Sequence, residues 1–169
     1  QIEVHARFKP SREQPELPRF GMRIVLPGGF ENVEWYGRGP QENYQDRRTA
    51  ALVGVYSGTV DGQFTPYVRP QENGYKTDVR WLKLNDGKGG GLLVEGLPVF
   101  CFGVSHYAAR DLERAAHPKE LIRQDEIYLN VDLKQMGVGG DNSWGALPHP
   151  QYRLPCLEYE YSFRLRPAP

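Results

Sequence analysis

Alternation with a period of two constrains this chain more than any other feature. In IEVHARF, residues 2–8, Ile2, Val4, Ala6 and Phe8 share one face and Glu3, His5 and Arg7 the other, the pattern of a half-buried strand. EIYLNVDL points Ile127, Leu129, Val131 and Leu133 inward, and LEYEYSFRL does the same with Leu157, Tyr159, Tyr161, Phe163 and Leu165. Six shorter runs, MRIVL, VEWYG, LVGVYSG, VRWLKL, GLLVEG and VFCFGV, are each bounded by Gly, Pro or Asn, as turns bound strands. The single helical stretch is AARDLERAAH, Ala108 to His117, stopped by Pro118. LNDGKGGGLLV reads as a hairpin whose glycines supply positive φ, because it lacks the strand-to-helix context of a phosphate loop. Nine strands and one short helix predict an all-β chain.

Composition is needed only to bound what such a chain does. Its 169 residues are 39% hydrophobic and 25% charged, enough for one globular domain, 1–169, that buries roughly 70% of its unfolded surface. Lys plus Arg and Asp plus Glu both number 21, so no electrostatic footprint for nucleic acid or an anionic membrane is expected. PVFCFGV and similar runs are far shorter than the ~20 residues that cross a bilayer, and no basic-then-apolar start marks an export signal. KPSREQPELP, residues 9–18, with three prolines, is the one linker-like segment and should lie extended on the surface. A strand at the very start and another running almost to Pro169 suggest a piece of a longer polypeptide.

Catalytic motifs are sparse. His5, His106, His117 and His149 share no metal-ligand spacing, and no nucleophile elbow or Cys/His pair is visible, so surface or hydrogen-bonded histidines are expected. Cys101 and Cys156 are too few for a disulfide scaffold and are expected to be buried free thiols. The loops are chemically rich instead: WYGRGPQENYQDRRTA, TPYVRPQENG and MGVGGDNSWG gather glycine, proline, amides, charges and aromatics between plain strands. Asp46, Arg47 and Arg48 are read as a local ion pair or a contact with a neighbouring domain. In RPQENG, residues 69–74, Asn73 is read as capping backbone groups of a turn. Trp35, Tyr36 and Trp81 are read as core residues. GVGGDNSWG stands apart, because it ends a run of glycines and small polar residues on Trp144, where nothing local can bury an indole. Its glycines let the backbone turn tightly, and Asp141, Asn142 and Ser143 can hydrogen-bond their own backbone to hold the turn.

EWYGRGPQENYQDR, YVRPQENGYKTDVRWL and LNVDLKQMGVGGDNSWG, in that order, resemble the C-terminal domain, the fifth of five, in the large bacterial β-galactosidases of glycoside hydrolase family two. The resemblance runs from about Leu17 to the end. It implies a twisted two-sheet β supersandwich of the galactose mutarotase-like type, in accord with the strand count. It also implies that the catalytic glutamates lie in an upstream barrel, so no catalytic residue is expected here; no metal or cofactor is expected within this chain either, magnesium and sodium being matters for the parent enzyme, with backbone carbonyls near RPQENG offered to a peripheral cation as the minor alternative. The parent, a homo-oligomer of bacterial cytoplasm or periplasm, would cleave terminal β-galactosides with retention. Trp144 matches the tryptophan that stacks on the sugar, and with Asp141 and Asn142 makes the substrate-binding set. An indole suits galactose, whose aliphatic C–H face a flat ring covers while excluding water. The partners implied are a galactoside and the remaining domains of the parent.

Two other readings stand beside this one. A free-standing sugar-binding module should hold galactose at about millimolar strength, whereas half a pocket should not. An aldose mutarotase needs a His and Glu pair facing the sugar, and none of its motifs is found; acceleration of α-galactose mutarotation would reveal one. A packing role for Trp144 at the sandwich edge is the structural alternative.

Overall fold

The computed structural model describes residues 1–11, 15–142 and 144–168. Among the described residues there are eight strands: β1 (Ile2–Phe8), β2 (Arg19–Leu26), β3 (Asn32–Gly39), β4 (Leu52–Thr59), β5 (Lys76–Asn85), β6 (Gly91–Ser105), β7 (Ile127–Gln135) and β8 (Tyr159–Pro167). One short helix, α1 (Ala109–Arg114), accompanies them. It ends three residues before the expected His117, where Ala115 already has the extended ψ of 125°.

The nine expected strands become eight because GLLVEG and VFCFGV form the single 15-residue β6. Pro98 looked like a boundary between them. It falls where the ladder to β5 is already interrupted, since pairing jumps from Trp81↔Glu95 to Val79↔Phe100, and there a missing N–H costs no sheet bond.

β6 also explains how the two layers form. Its first half, from Leu92 to Leu97, pairs with β8, and its second half, from Cys101 to Ser105, pairs with β7. The sheet runs β1–β8–β6–β5–β3–β4 and forks at β6 into a second arm, β7–β2, with every ladder antiparallel. The two arms fold onto one another: Phe20 of β2 lies 5.8 Å from Phe8, 5.8 Å from Tyr159 and 5.5 Å from Tyr161, and the Tyr161 hydroxyl donates to the Val131 carbonyl at 2.8 Å. The result is an all-β sandwich whose layers are one branched sheet.

Alternation places the core where the sequence pattern put it. Ile127, Leu129, Val131, Tyr161 and Phe163 are buried in one cluster with Val33, Trp35, Leu82 and Phe102, while Val4 and Ala6 pack against it from β1. Two residues depart from the pattern: Leu157 precedes β8 and is 58% exposed, and Ile2, at the start of β1, is 63% exposed. Tyr36 and Trp81 are cross-strand partners on the outward face of the sheet, so of the three expected core aromatics only Trp35 is buried. Cys101 is buried and Cys156 half-buried, both free. The β5–β6 hairpin forms as expected, with Gly87 and Gly89 at φ of 70° and 102° and Asp86 accepting from Lys88 and Gly90 N–H. Of the linker-like segment 9–18, residues 12–14 lie outside the described residues; 9–11 and 15–18 carry no regular structure, and Leu17 N–H donates to the Leu154 carbonyl at 2.8 Å. Among the described residues no helix is long and apolar enough to cross a membrane.

Candidate functional site

The three motif loops meet at one end of the sandwich, and short polar side chains join them. Asn43 is the anchor of the first. It is 1% exposed, its N–H donates to the Tyr75 carbonyl at 2.7 Å, and its Oδ1 accepts from Thr77 N–H at 3.0 Å and Thr77 Oγ1 at 2.6 Å. The amide thus does the work of a strand carbonyl where the loop has none to offer. Glu42 ties the same loop to the second: its Oε2 accepts from Gly74 N–H at 2.7 Å and its Oε1 from Arg47 Nη2 at 2.5 Å and from the Tyr67 hydroxyl. Burial opposes its charge, but the donors from Tyr67 and Gly74 outweigh it and hold the carboxyl below its ordinary range. Asn73 caps as expected, accepting from Thr65 N–H at 2.9 Å and donating to the Gln71 carbonyl.

Asp46 joins the first loop to the third. Its Oδ2 accepts from Gly139 N–H at 2.8 Å. A Cβ on Gly137 would stand 2.6 Å from that oxygen and 3.0 Å from the Cβ of Tyr152, so only glycine admits the carboxylate here. The expected ion pair among neighbours is absent: Arg47 reaches Glu42, and Arg48 reaches Asp78 at 3.1 Å. Adjacent residues on a tight loop point apart, which is why sequence proximity misled.

Beyond Gly139 the loop doubles back. A Cβ on Gly140 would meet the Ala146 carbonyl oxygen at 2.1 Å. Asn142 holds this turn as expected, its Oδ1 accepting from Trp144 N–H at 3.1 Å and Ala146 N–H at 3.2 Å. Asp141 pairs with His149 Nε2 at 2.8 Å across the loop, and among the described residues its side chain meets no backbone N–H. Ser143 lies outside the described residues. Trp144 is 86% exposed and stacks on no other described ring, so it does not pack on the sandwich edge within this chain. Beside the loop is a depression of about 250 Å³ lined by Asp46, Gly139, Gly140, Asp141, His149 and Tyr152.

Beneath the loops lies a buried polar layer that sequence reading missed. Arg19 donates to Glu72 Oε2 at 2.7 Å and Gln135 Oε1 at 2.5 Å, and stands 3.7 Å from Asp132; the Tyr75 hydroxyl donates to Asp132 Oδ2 at 3.0 Å. One guanidinium faces two carboxyls, of which Asp132 is fully buried and Glu72 partly so. Burial pushes Asp132 up to about 7 and Glu72 above its ordinary range, Arg19 opposing both. Tyr44 stacks on Tyr75 with ring centroids 5.6 Å apart, and its buried hydroxyl has no hydrogen-bond partner among the described residues. Alternation assigns Asp132 to the solvent face of β7; the loops and Gly21 of β2 cover that face instead.

A second polar cluster sits away from the loops. Glu31, Asp61 and His106 bring one ligand-type atom each within 4.8 Å of one another. The Arg123 guanidinium fills that space, donating to Asp61 at 3.1 Å and to His106 Nε2 at 2.8 Å, so the cluster carries its own cation. His106 thereby has the hydrogen-bonded environment expected of it, with Nδ1 at 3.1 Å from the Glu126 carbonyl.

Comparison with known proteins adds an independent finding. The family model described as "Beta galactosidase small chain" matches residues 1–165. The chain is similar to β-galactosidases of Priestia megaterium (42% identical over 168 residues, 99% of this chain and 16% of the relative), Vibrio cholerae (42% over 165 residues, 98% and 15%) and Halalkalibacterium halodurans (44% over 142 residues, 83% and 14%). It therefore spans only 14–16% of the length of these relatives.

Proposed function

The chain belongs to the β-galactosidase small-chain family, and from that premise we propose that it is the C-terminal domain of a β-galactosidase and completes the galactose pocket of that enzyme. The parent is a retaining hydrolase of terminal β-D-galactosides. Its two catalytic carboxylates lie outside these residues, one acting as nucleophile and the other as acid and then base. This chain contributes position. The observation that carries the reading is Trp144, an indole left 86% exposed at the tip of a loop whose backbone is pinned by Asn142 and Asp46. A bare, braced indole of this kind is a surface made for a partner, and the C–H face of galactose matches its shape and polarity. Covering that face excludes water and fixes the ring against the chemistry supplied from elsewhere, so most of the benefit is positional.

The test is Trp144→Ala in the full-length enzyme, read by inhibition with a galactose-like competitor and by thermal melting. Losing the contact should cost about 2 kcal/mol of binding, more than tenfold in affinity, with Trp144→Phe retaining part of it. Folding should be unchanged, since the side chain touches little of its own chain. A competitor that binds Trp144→Ala as tightly as the parent enzyme would overturn the reading.

A further inference from the structure

Among the described residues, Asp46 is the one that connects the Trp144 loop to the rigid part of the molecule through a side chain of the QENYQDR segment. The path can be followed bond by bond. β5 holds Asn43 through Thr77, the same segment is held at Glu42 by Gly74 N–H, and Asp46 then accepts from Gly139 N–H at 2.8 Å, five residues before Trp144. Gly137 packs against the carboxylate from the other side, and its N–H donates to the Tyr152 carbonyl at 2.7 Å.

The state of the carboxylate argues that this contact has a purpose. Among the described residues the buried Asp46 Oδ1 meets no hydrogen-bond partner, and neither adjacent arginine compensates the charge, as both are turned to other acids. A carboxylate placed so costs free energy that an exposed one would not. What it gains in return is a charge-assisted bond to a single backbone N–H, and that N–H belongs to the loop that ends on Trp144.

We infer that Asp46 is a positioning residue: by clamping Gly139 it fixes where the Trp144 indole stands, and so sets galactoside affinity without touching the sugar. The inference rests on the proposed role of Trp144, but the clamp itself is testable apart from it. In the full-length enzyme, amide hydrogen exchange across 137–146 should quicken by about tenfold in Asp46→Ala and stay near the parent rate in Asp46→Asn, whose Oδ1 still accepts from Gly139. KM for a galactoside should rise about tenfold in Asp46→Ala with a much smaller change in kcat, and less than about threefold in Asp46→Asn. In a Trp144→Ala background the Asp46→Ala change should add less than about twofold, because both act through one indole. Asp46→Ser, too short to span the gap, replaces the alanine variant if that fails to fold.

Unchanged exchange in Asp46→Ala and Asp46→Ser would overturn the clamp. Full additivity with Trp144→Ala would overturn its action through the indole. Quickened exchange together with a Trp144→Ala enzyme that binds normally would leave the clamp standing and remove the galactose reading instead.

Discussion

The two ends of this sandwich are stabilised by different physics. Around Phe163, Leu129 and Phe102 the interior is apolar and fully buried, drawn from β5, β6, β7 and β8, and no single contact is indispensable to the arrangement. At the loop end, individual polar atoms decide the geometry: Asn43 Oδ1 serves Thr77, Glu42 serves Gly74, Asp46 serves Gly139 and Asn142 serves Trp144. Dispersion and hydrophobic burial are non-directional and sum over many atoms, so they build a scaffold that tolerates approximate solutions. A hydrogen bond to a particular N–H is directional, so it can set a loop to within the fraction of an ångström that a binding residue needs. The contrast teaches that stability and placement are supplied by separate sets of residues, and substitutions can test this by separating the two.

The largest effect should come from the apolar end. Phe163 has no exposed surface, and Phe163→Ala should lower unfolding free energy by about 3–5 kcal/mol through lost transfer energy and the cavity left behind. Urea denaturation of the chain measures this directly. A cost below that of the loop substitutions would show that the loop end, not the arms folded about β6, carries the stability.

What could be read from the sequence follows the same division. Period-two alternation is the signature of one-sided burial, so IEVHARF, EIYLNVDL and the strand part of LEYEYSFRL were legible as strands with their inward faces assigned. The fork at β6 was not, because a strand that changes partners midway looks like two strands, and Pro98 looked like the break. At the loop end, Trp144 and Asn142 were legible because local chemistry alone explains them. Asp46 and Asn43 were not, since their partners, Gly139 and Thr77, are 93 and 34 residues away and nothing in the pattern links them. Asp132 was concealed by the rule that served elsewhere: alternation gave it to solvent, and a loop later covered it.

That covered carboxyl makes the loop end the pH-sensitive one. With Asp132 raised by burial from 3.8 to about 7, the folded state holds a proton that the unfolded chain releases at lower pH. Its contribution is therefore fully present below pH 4 and lost as pH rises through about 7, a change of up to about 4 kcal/mol. Glu72 is displaced in the same direction and adds to the trend. Asp132→Asn, which keeps an acceptor for the Tyr75 hydroxyl, should flatten this fall and leave the variant at least as stable as the parent at pH 8. Equilibrium unfolding from pH 4 to 8 distinguishes the outcomes; equal slopes for both proteins would mean that Arg19 fully neutralises the site and that Asp132 stays charged.

The smallest of these effects sharpens the comparison most. Asn43→Ala removes the acceptor for two donors of Thr77, a residue with no exposed surface, and so leaves a buried N–H and hydroxyl unmatched. Unsatisfied groups of this kind cost about 1–3 kcal/mol, less than the core cavity, and the loss should appear in urea denaturation as a modest shift of the midpoint with an unchanged slope. Because Glu42 and Asp46 lie on the same segment, loosening Asn43 should release the loop end far more than the sandwich. Exchange should quicken across 40–48 and 137–146 while the amides of β6 and β7 keep nearly their parent protection. Asn43→Asp keeps the acceptor but buries a charge, so it should be more damaging near neutral pH than in acid. If Asn43→Ala instead quickened exchange uniformly through every strand, the loop end and the apolar core would be one cooperative unit, and the division between scaffold and placement would fail.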